Sequence, residues 1–128
     1  MKKVLVIDDE KEFCSFLKEN LELLGRYRVF TATNGKEGLQ SAKTERPDLI
    51  LLDIMMPHMN GLEVLKRLKE DEKTISIPVI MLTALEDDES RSKTSYLYCE
   101  DYIVKPIKLS VLIPKMDEML GKGSGGAF

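Results

Sequence analysis

The chain has 128 residues, which is the length of a single domain with a hydrophobic core of its own. Hydrophobic residues make up 43% of the sequence and charged residues 32%, as in an ordinary globular protein. The net charge of −3 comes without any basic block, so direct binding to nucleic acid is not expected, because phosphate contacts require clustered Lys and Arg.

The cysteine content and the apolar runs indicate a cytoplasmic protein without a membrane partner. Cys14 and Cys99 are widely spaced and form no CxxC motif, which indicates reduced thiols, and nothing favours a disulfide bond between them. No apolar run approaches the roughly 18 residues that a membrane span requires. The apolar run near the N-terminus is also too short for a signal peptide.

The first half of the chain alternates apolar runs with helical periodicity. Val4–Ile7 predicts a strand, and apolar residues spaced at helical intervals over 13–24 predict the first helix. Arg28–Ala32 predicts the second strand. Asn34 is a suitable N-cap for a second helix over 36–45.

The same alternation continues through the next elements. Leu49–Leu52 and Val79–Leu82 predict the third and fourth strands, and 61–69 predicts the helix between them. These two runs and Val4–Ile7 are continuous and aliphatic, which is typical of strands buried on both faces of a parallel sheet. Residues 86–97 have almost no apolar stripe, so we expect a short or mobile fourth helix there.

The last elements complete an α/β pattern. Tyr102–Val104 predicts the fifth strand, and a final helix ends at Leu120, with a late start or a kink at Pro114. We expect one domain over residues 1–120, with 121–128 as a flexible tail or an expression remnant. Five strands that alternate with five helices predict a doubly wound parallel sheet with right-handed crossovers.

Reactive side chains follow four of the five predicted strands, at the edge where sites form in such a sheet. Asp8 and Asp9 follow the first strand, and Asp53 follows the third. The fourth strand ends in Thr83 and Ala84, and the fifth ends in Lys105 and Pro106. Each residue alone has an ordinary explanation, such as a helix cap or a surface lysine. Their shared position on one side of one sheet favours a common site.

Three carboxylates at one edge repel each other, so either some are protonated or a cation lies among them. A small number of hard oxygen ligands suits Mg²⁺, with Mn²⁺ as an alternative. A divalent ion, the lysine, the hydroxyl of Thr83 and the carboxylate of Asp53 together indicate phosphoryl transfer by in-line attack.

These residues lie in segments that resemble the receiver domain of two-component response regulators, and the chemotaxis regulators in particular. The matching segments are Val4–Glu10, Pro47–Gly61, Pro78–Ala84 and Asp101–Pro106. The resemblance covers about residues 2–120. It implies a flavodoxin-like fold with five helices and the strand order 2-1-3-4-5.

The resemblance also implies residue roles. Asp53 would accept the phosphoryl group, and Lys105 would pair with a phosphoryl oxygen. Asp8, Asp9, Asp53 and the backbone carbonyl of Met55 would hold Mg²⁺. In the switch, the hydroxyl of Thr83 would move onto the phosphoryl group and Tyr102 would rotate inward. The residues that shape the surrounding loops would be Pro57, Gly61, Ala84 and Pro106. The peptide bond before Pro106 would be cis.

The partners implied are a sensor histidine kinase or a phosphotransfer protein, and an unknown effector that reads the fourth helix, fifth strand and fifth helix. One alternative is a metal-dependent phosphatase or phosphotransferase with an aspartyl nucleophile, although such enzymes usually carry an acid where this chain has Met55. A second alternative is a receiver that binds proteins without switching. It would require the loss of one of the acids or of the lysine, and this sequence keeps them all. Whether the chain is a whole regulator or part of a longer protein stays open.

Two departures from the family pattern affect these expectations. Leu97-Tyr98-Cys99 stands where small residues are usual, which puts the effector-binding face in doubt. Met55 and Leu85 flank the path of the hydrolytic water in the family, and both are apolar here. We therefore expect slow loss of the phosphoryl group.

Overall fold

A five-stranded parallel β-sheet forms the centre of the protein in the computed structural model, which describes residues 1–84 and 99–121. The strands are β1 (Lys2–Ile7), β2 (Tyr27–Ala32), β3 (Leu49–Asp53), β4 (Val79–Ala84) and β5 (Asp101–Lys105). They lie in the order β2-β1-β3-β4-β5, and all neighbours are parallel. The predicted fold class and strand order are confirmed.

Four helices lie within the described residues. They are α1 (Lys11–Glu22), α2 (Gly35–Glu45), α3 (Gly61–Glu70) and α4 (Leu109–Leu120). The Asn34 side chain caps α2 as predicted, because its Oδ1 accepts a hydrogen bond from the backbone N–H of Glu37 at 2.8 Å. The helix predicted over 86–97 lies outside the described residues, as does the tail beyond Gly121.

The sheet is buried because helices pack on both of its faces. Successive residues of β1 point to opposite sides, so Val4 and Val6 join one core cluster while Leu5 and Ile7 join the other. The first cluster includes buried residues of α1 and α4, and the second includes buried residues of α2 and α3. All five residues of β3 are buried, as its continuous apolar run predicts.

Of the two outcomes expected at Pro114, a late start or a kink, the late start is wrong and the kink stays a prediction. The helix begins at Leu109, so Pro114 lies inside it. Pro114 is on the exposed side, where water can satisfy the carbonyl that loses its N–H partner. Leu112 and Met116, two residues before and after it, are buried and hold the helix against the sheet.

A polar cluster joins the start of β2 to α4. Tyr27 is 2% exposed, and its hydroxyl donates a hydrogen bond to Asp117. Burial, followed by this hydrogen bond, raises the pKa of Tyr27 to about 12, so the hydroxyl is a donor at neutral pH. The Arg26 guanidinium contacts the same carboxylate at 2.8 and 3.2 Å. The cluster therefore fixes the start of β2 against the last helix.

Tyr27→Phe should lower the free energy of unfolding by about 1–2 kcal/mol, because a buried hydroxyl bond to a charged group is lost. Urea denaturation at neutral pH measures this. Ser110→Ala removes an exposed hydroxyl from α4 and serves as the control, with an expected change within about 0.5 kcal/mol. Equal stability of Tyr27→Phe and the parent would show that the cluster does not hold α4.

Candidate functional site

Three carboxylates meet at the carboxyl edge of the sheet. Ile7 at the end of β1 is in register with Leu52, so Asp8 lies level with Asp53 on the neighbouring strand. One oxygen from each of Asp8, Asp9 and Asp53 lies within 4.8 Å of the other two. Asp8 is fully buried and Asp53 is 4% exposed, whereas Asp9 is exposed. The structure thus brings together the three acids that the sequence analysis selected, in a group that could bind a metal ion.

Lys105 reaches this group from the end of β5. Its Nζ lies 2.8 Å from Asp8 Oδ2 and 3.4 Å from Asp53 Oδ1. The strand β4 separates β5 from β3, so the long lysine side chain passes the end of β4 to make these contacts. A third carboxylate, that of Glu10, lies 3.4 Å from the same Nζ. Glu10 is not among the site residues predicted from the sequence.

Asp8 is held in place by the residues that follow it. Its Oδ1 accepts a hydrogen bond from the backbone N–H of Glu10 at 2.9 Å, and the Cys14 thiol donates to its backbone carbonyl at 3.3 Å. Burial, and next the charge of Asp8, raise the pKa of Cys14 to about 11, so this cysteine is a neutral thiol. Cys14 and Cys99 are thiols that are not joined in a disulfide bond, as predicted.

The electrostatics of the site favour added positive charge. Burial, and next the charge of Asp8, raise the pKa of Asp53 to about 6, although Lys105 opposes the shift. Burial also works against the charged form of Lys105, but its hydrogen bond to Asp8 and the charge of Asp53 outweigh burial and raise its pKa. Lys105 is therefore a cation that neutralises only part of the negative charge around it.

Thr83 and Tyr102 lie close to this edge but in different surroundings. Thr83 is buried near the end of β4, one residue beyond the residue in register with Asp53. Ala84, the last residue of β4, is exposed and in register with Lys105. Tyr102 is half-buried in β5 and packs against the core cluster under α2 and α3.

The loop between β3 and α3 depends on Gly61. Its N–H donates a hydrogen bond to the carbonyl of Ile54 at 2.7 Å, and a Cβ at this position would overlap the backbone carbonyl of Asp53. No other residue fits there without moving the acid. Pro57 is exposed in the same loop, and Met55 is 66% exposed. The bond between Lys105 and Pro106 is cis, as expected.

A family model described as the response regulator receiver domain matches residues 4–117. The chain belongs to the response-regulator receiver family. Among curated relatives, it is 43% identical over 105 residues to the alkaline phosphatase synthesis transcriptional regulatory protein PhoP of Bacillus subtilis. That match covers 82% of this chain and 42% of PhoP. A 38% identical match to the polar-differentiation response regulator DivK of Brucella anthropi covers 94% of this chain and 97% of DivK.

Solved receiver structures agree with this assignment. The chemotaxis protein CheY4 of Vibrio cholerae superposes with a TM-score of 0.87 at 29% identity, over 93% of this chain and 98% of CheY4. The receiver domain of the Francisella response regulator 1452 gives a TM-score of 0.85 at 34% identity, over 95% and 98% of the two chains. The predicted family and the receiver function that follows from it are confirmed.

The receiver accounts for only part of several relatives. The chain spans about half the length of the first curated relatives that it matches, including PhoP at 42% and the regulator CrdR of Helicobacter pylori at 51%. Among the residues that the structure describes, no helix is long and apolar enough to cross a membrane.

Asp53→Asn should stabilise the metal-free protein at neutral pH. Because the folded pKa of Asp53 is about 6, above the ordinary value of about 3.9, its charge opposes folding above pH 6. The penalty grows between about pH 4 and 6 and is absent below, where the carboxyl is protonated in both states. A shift of about 2 units corresponds to at most about 3 kcal/mol, so we expect a gain of about 1–3 kcal/mol at pH 7.5.

Urea denaturation in EDTA at pH 4 and pH 7.5 measures this difference. Glu72→Gln neutralises an exposed acid far from the site and should change stability little at either pH. A variant Asp53→Asn that is no more stable than the parent at pH 7.5 would show that Asp53 carries no electrostatic penalty.

Proposed function

We propose that this receiver accepts a phosphoryl group on Asp53 and thereby switches a signalling surface. The observation that carries the proposal is the position of Asp53, buried at the sheet edge with Asp8, Asp9 and the Lys105 ammonium around it. A carboxylate with a raised pKa, placed against a fixed cation, can act as a nucleophile toward a phosphoryl group whose oxygens the cation neutralises.

The metal ion that suits this site is Mg²⁺, with Mn²⁺ as a substitute. Asp8, Asp9, Asp53 and the backbone carbonyl of Met55 would hold it. Two facts support the fit. The three carboxylate oxygens lie within 4.8 Å of one another, and burial, followed by the charge of Asp8, raises the pKa of Asp53, which a bound cation would oppose. When bound, the ion neutralises charge on the phosphoryl oxygens.

The chain's own residues would perform the transfer. An oxygen of Asp53 attacks phosphorus in line, a new P–O bond forms, and the bond from phosphorus to the donor breaks with its electron pair on the donor. Lys105 pairs with a phosphoryl oxygen. The hydroxyl of Thr83 donates to another, and Tyr102 rotates into the space that Thr83 leaves. Pro57, Gly61, Ala84 and Pro106 keep the surrounding loops in shape.

The partners follow from this chemistry. The protein would act in the cytoplasm, and its donor would be a sensor histidine kinase or a phosphotransfer protein. The effector would read β5 and α4 together with residues 86–97, and the last of these segments lies outside the described residues. The chain would act as a signalling receiver, not as an enzyme on an external substrate, because Met55 provides no acid–base group. Residues 1–120 would form the receiver, either alone or as part of a longer regulator.

Incubation with Mg²⁺ and acetyl phosphate, followed by intact-mass measurement, tests the proposal. The parent should gain one phosphoryl group, while Asp53→Ala and the parent in EDTA should gain none. Asp71→Ala, which removes a partly exposed acid after α3, should be phosphorylated like the parent. An adduct that persists in Asp53→Ala would contradict the proposal.

The lifetime of the phosphoryl group gives a separate prediction. Met55 is largely exposed two residues after Asp53, and its apolar side chain cannot orient water. Leu85 is also apolar and lies outside the described residues. The double variant Met55→Asn with Leu85→Glu should lose phosphate about tenfold faster or more, because polar groups can orient the attacking water.

The decay is measured by intact mass after removal of acetyl phosphate. Met55→Leu, which keeps the position apolar, is the matched control and should decay like the parent. If the double variant decays no faster than Met55→Leu, these two positions do not govern the lifetime.

A further inference from the structure

Among the described residues, the Phe13 ring is an uncharged partner of the Lys105 ammonium. Its Nζ lies 4.7 Å from the centroid of the Phe13 ring, well within the range of a cation–π interaction. Its charged partners in the part of the chain that the structure describes are the carboxylates of Asp8, Asp53 and Glu10. Phe13 thus lies against the lysine on which the proposed phosphoryl transfer depends.

The ring of Phe13 is fixed by its packing. Phe13 lies in the first turn of α1, is partly buried, and packs against the core cluster that α1 shares with α4. The next residue, Cys14, is buried and bonds to the backbone of Asp8. With Lys105, the ring also lines a cavity of about 450 Å³ at the mouth of the site. Phe13 therefore presents a surface of fixed position to the lysine.

The charged partners of Lys105 are less suited to hold it during the reaction. A cation bound by Asp8 and Asp53 shares their negative charge, which weakens their attraction for the ammonium. The Glu10 side chain is 66% exposed, so water screens its ion pair. The ring is neutral and binds no metal ion, so its attraction for the ammonium does not compete with the ion or with the phosphoryl group.

We propose that Phe13 is a positioning residue, whose ring holds the Lys105 ammonium beside Asp53 where the incoming phosphoryl oxygens are received. This inference rests on the proposed function, because it requires that Lys105 assist the transfer. With acetyl phosphate, the P–O bond to Asp53 forms, the P–O bond to acetate breaks, and acetate leaves with the electron pair. Phe13 takes no part in these bonds and acts only through Lys105.

Phe13→Leu keeps an apolar side chain but removes the aromatic face. The second-order rate constant for phosphorylation by acetyl phosphate should fall about three- to tenfold, in the range expected for a cation–π contact. Phe13→Tyr keeps the face and should restore the parent rate to within about twofold. Phe16→Leu, one turn along α1 and 44% exposed in the same cavity, is the matched control and should react like the parent.

The Lys105→Ala background separates positioning from a general structural effect. If Phe13 acts through the lysine, Phe13→Leu should cause no further loss of rate in Lys105→Ala. The Mg²⁺ affinity of Phe13→Leu, measured by titration, should equal that of the parent. An equal loss of rate in both backgrounds, or a Phe13→Tyr variant as slow as Phe13→Leu, would overturn the inference.

The same data distinguish the two proposals. If the parent forms no adduct on Asp53, the proposed function fails, and this inference fails with it. If the parent is phosphorylated and Lys105→Ala is slow while Phe13→Leu is as fast as the parent, this inference alone fails.

Discussion

The repulsion between two buried carboxylates is the constraint on which the site depends. Asp8 and Asp53 are both buried at the ends of adjacent strands, and one lysine lies between them. Burial and the charge of Asp8 raise the pKa of Asp53, so the metal-free site has an electrostatic cost. A bound cation would relieve that cost, and we propose that this dependence makes the acid at position 53 reactive only when the ion is present.

The parallel sheet supplies the geometry that this constraint requires. Strand register places Asp8 level with Asp53, and β4 carries Thr83 to the same edge. Two apolar clusters, one on each face of the sheet, hold the strands in this register. The free energy gained by burying these clusters offsets the repulsion between the carboxylates of the site. Gly61 then keeps the loop after β3 against the backbone of Asp53 without displacing it.

The strands and helices could be predicted from the sequence because apolar residues recur along them with a regular period. Contacts between side chains from distant elements have no such signal and could not be predicted. Continuous aliphatic runs identified β1, β3 and β4, and therefore the edge at which the acids meet. Glu10 and Phe13 have no such signal, because their contacts with Lys105 come from the start of α1 meeting the end of β5. Pro114 lies inside α4 because a proline is tolerated on an exposed face, which the hydrophobic periodicity of the sequence does not reveal.

Locating the phosphoryl group chemically tests the role of Asp53 most directly. Borohydride reduces an acyl phosphate on aspartate to homoserine, which is stable during digestion and peptide mapping. After treatment with Mg²⁺ and acetyl phosphate, we expect homoserine at position 53 and at no other acid. Homoserine at position 8 or 9, or a phosphoryl group that resists reduction and maps to a hydroxyl side chain, would show that Asp53 is not the phosphoryl acceptor.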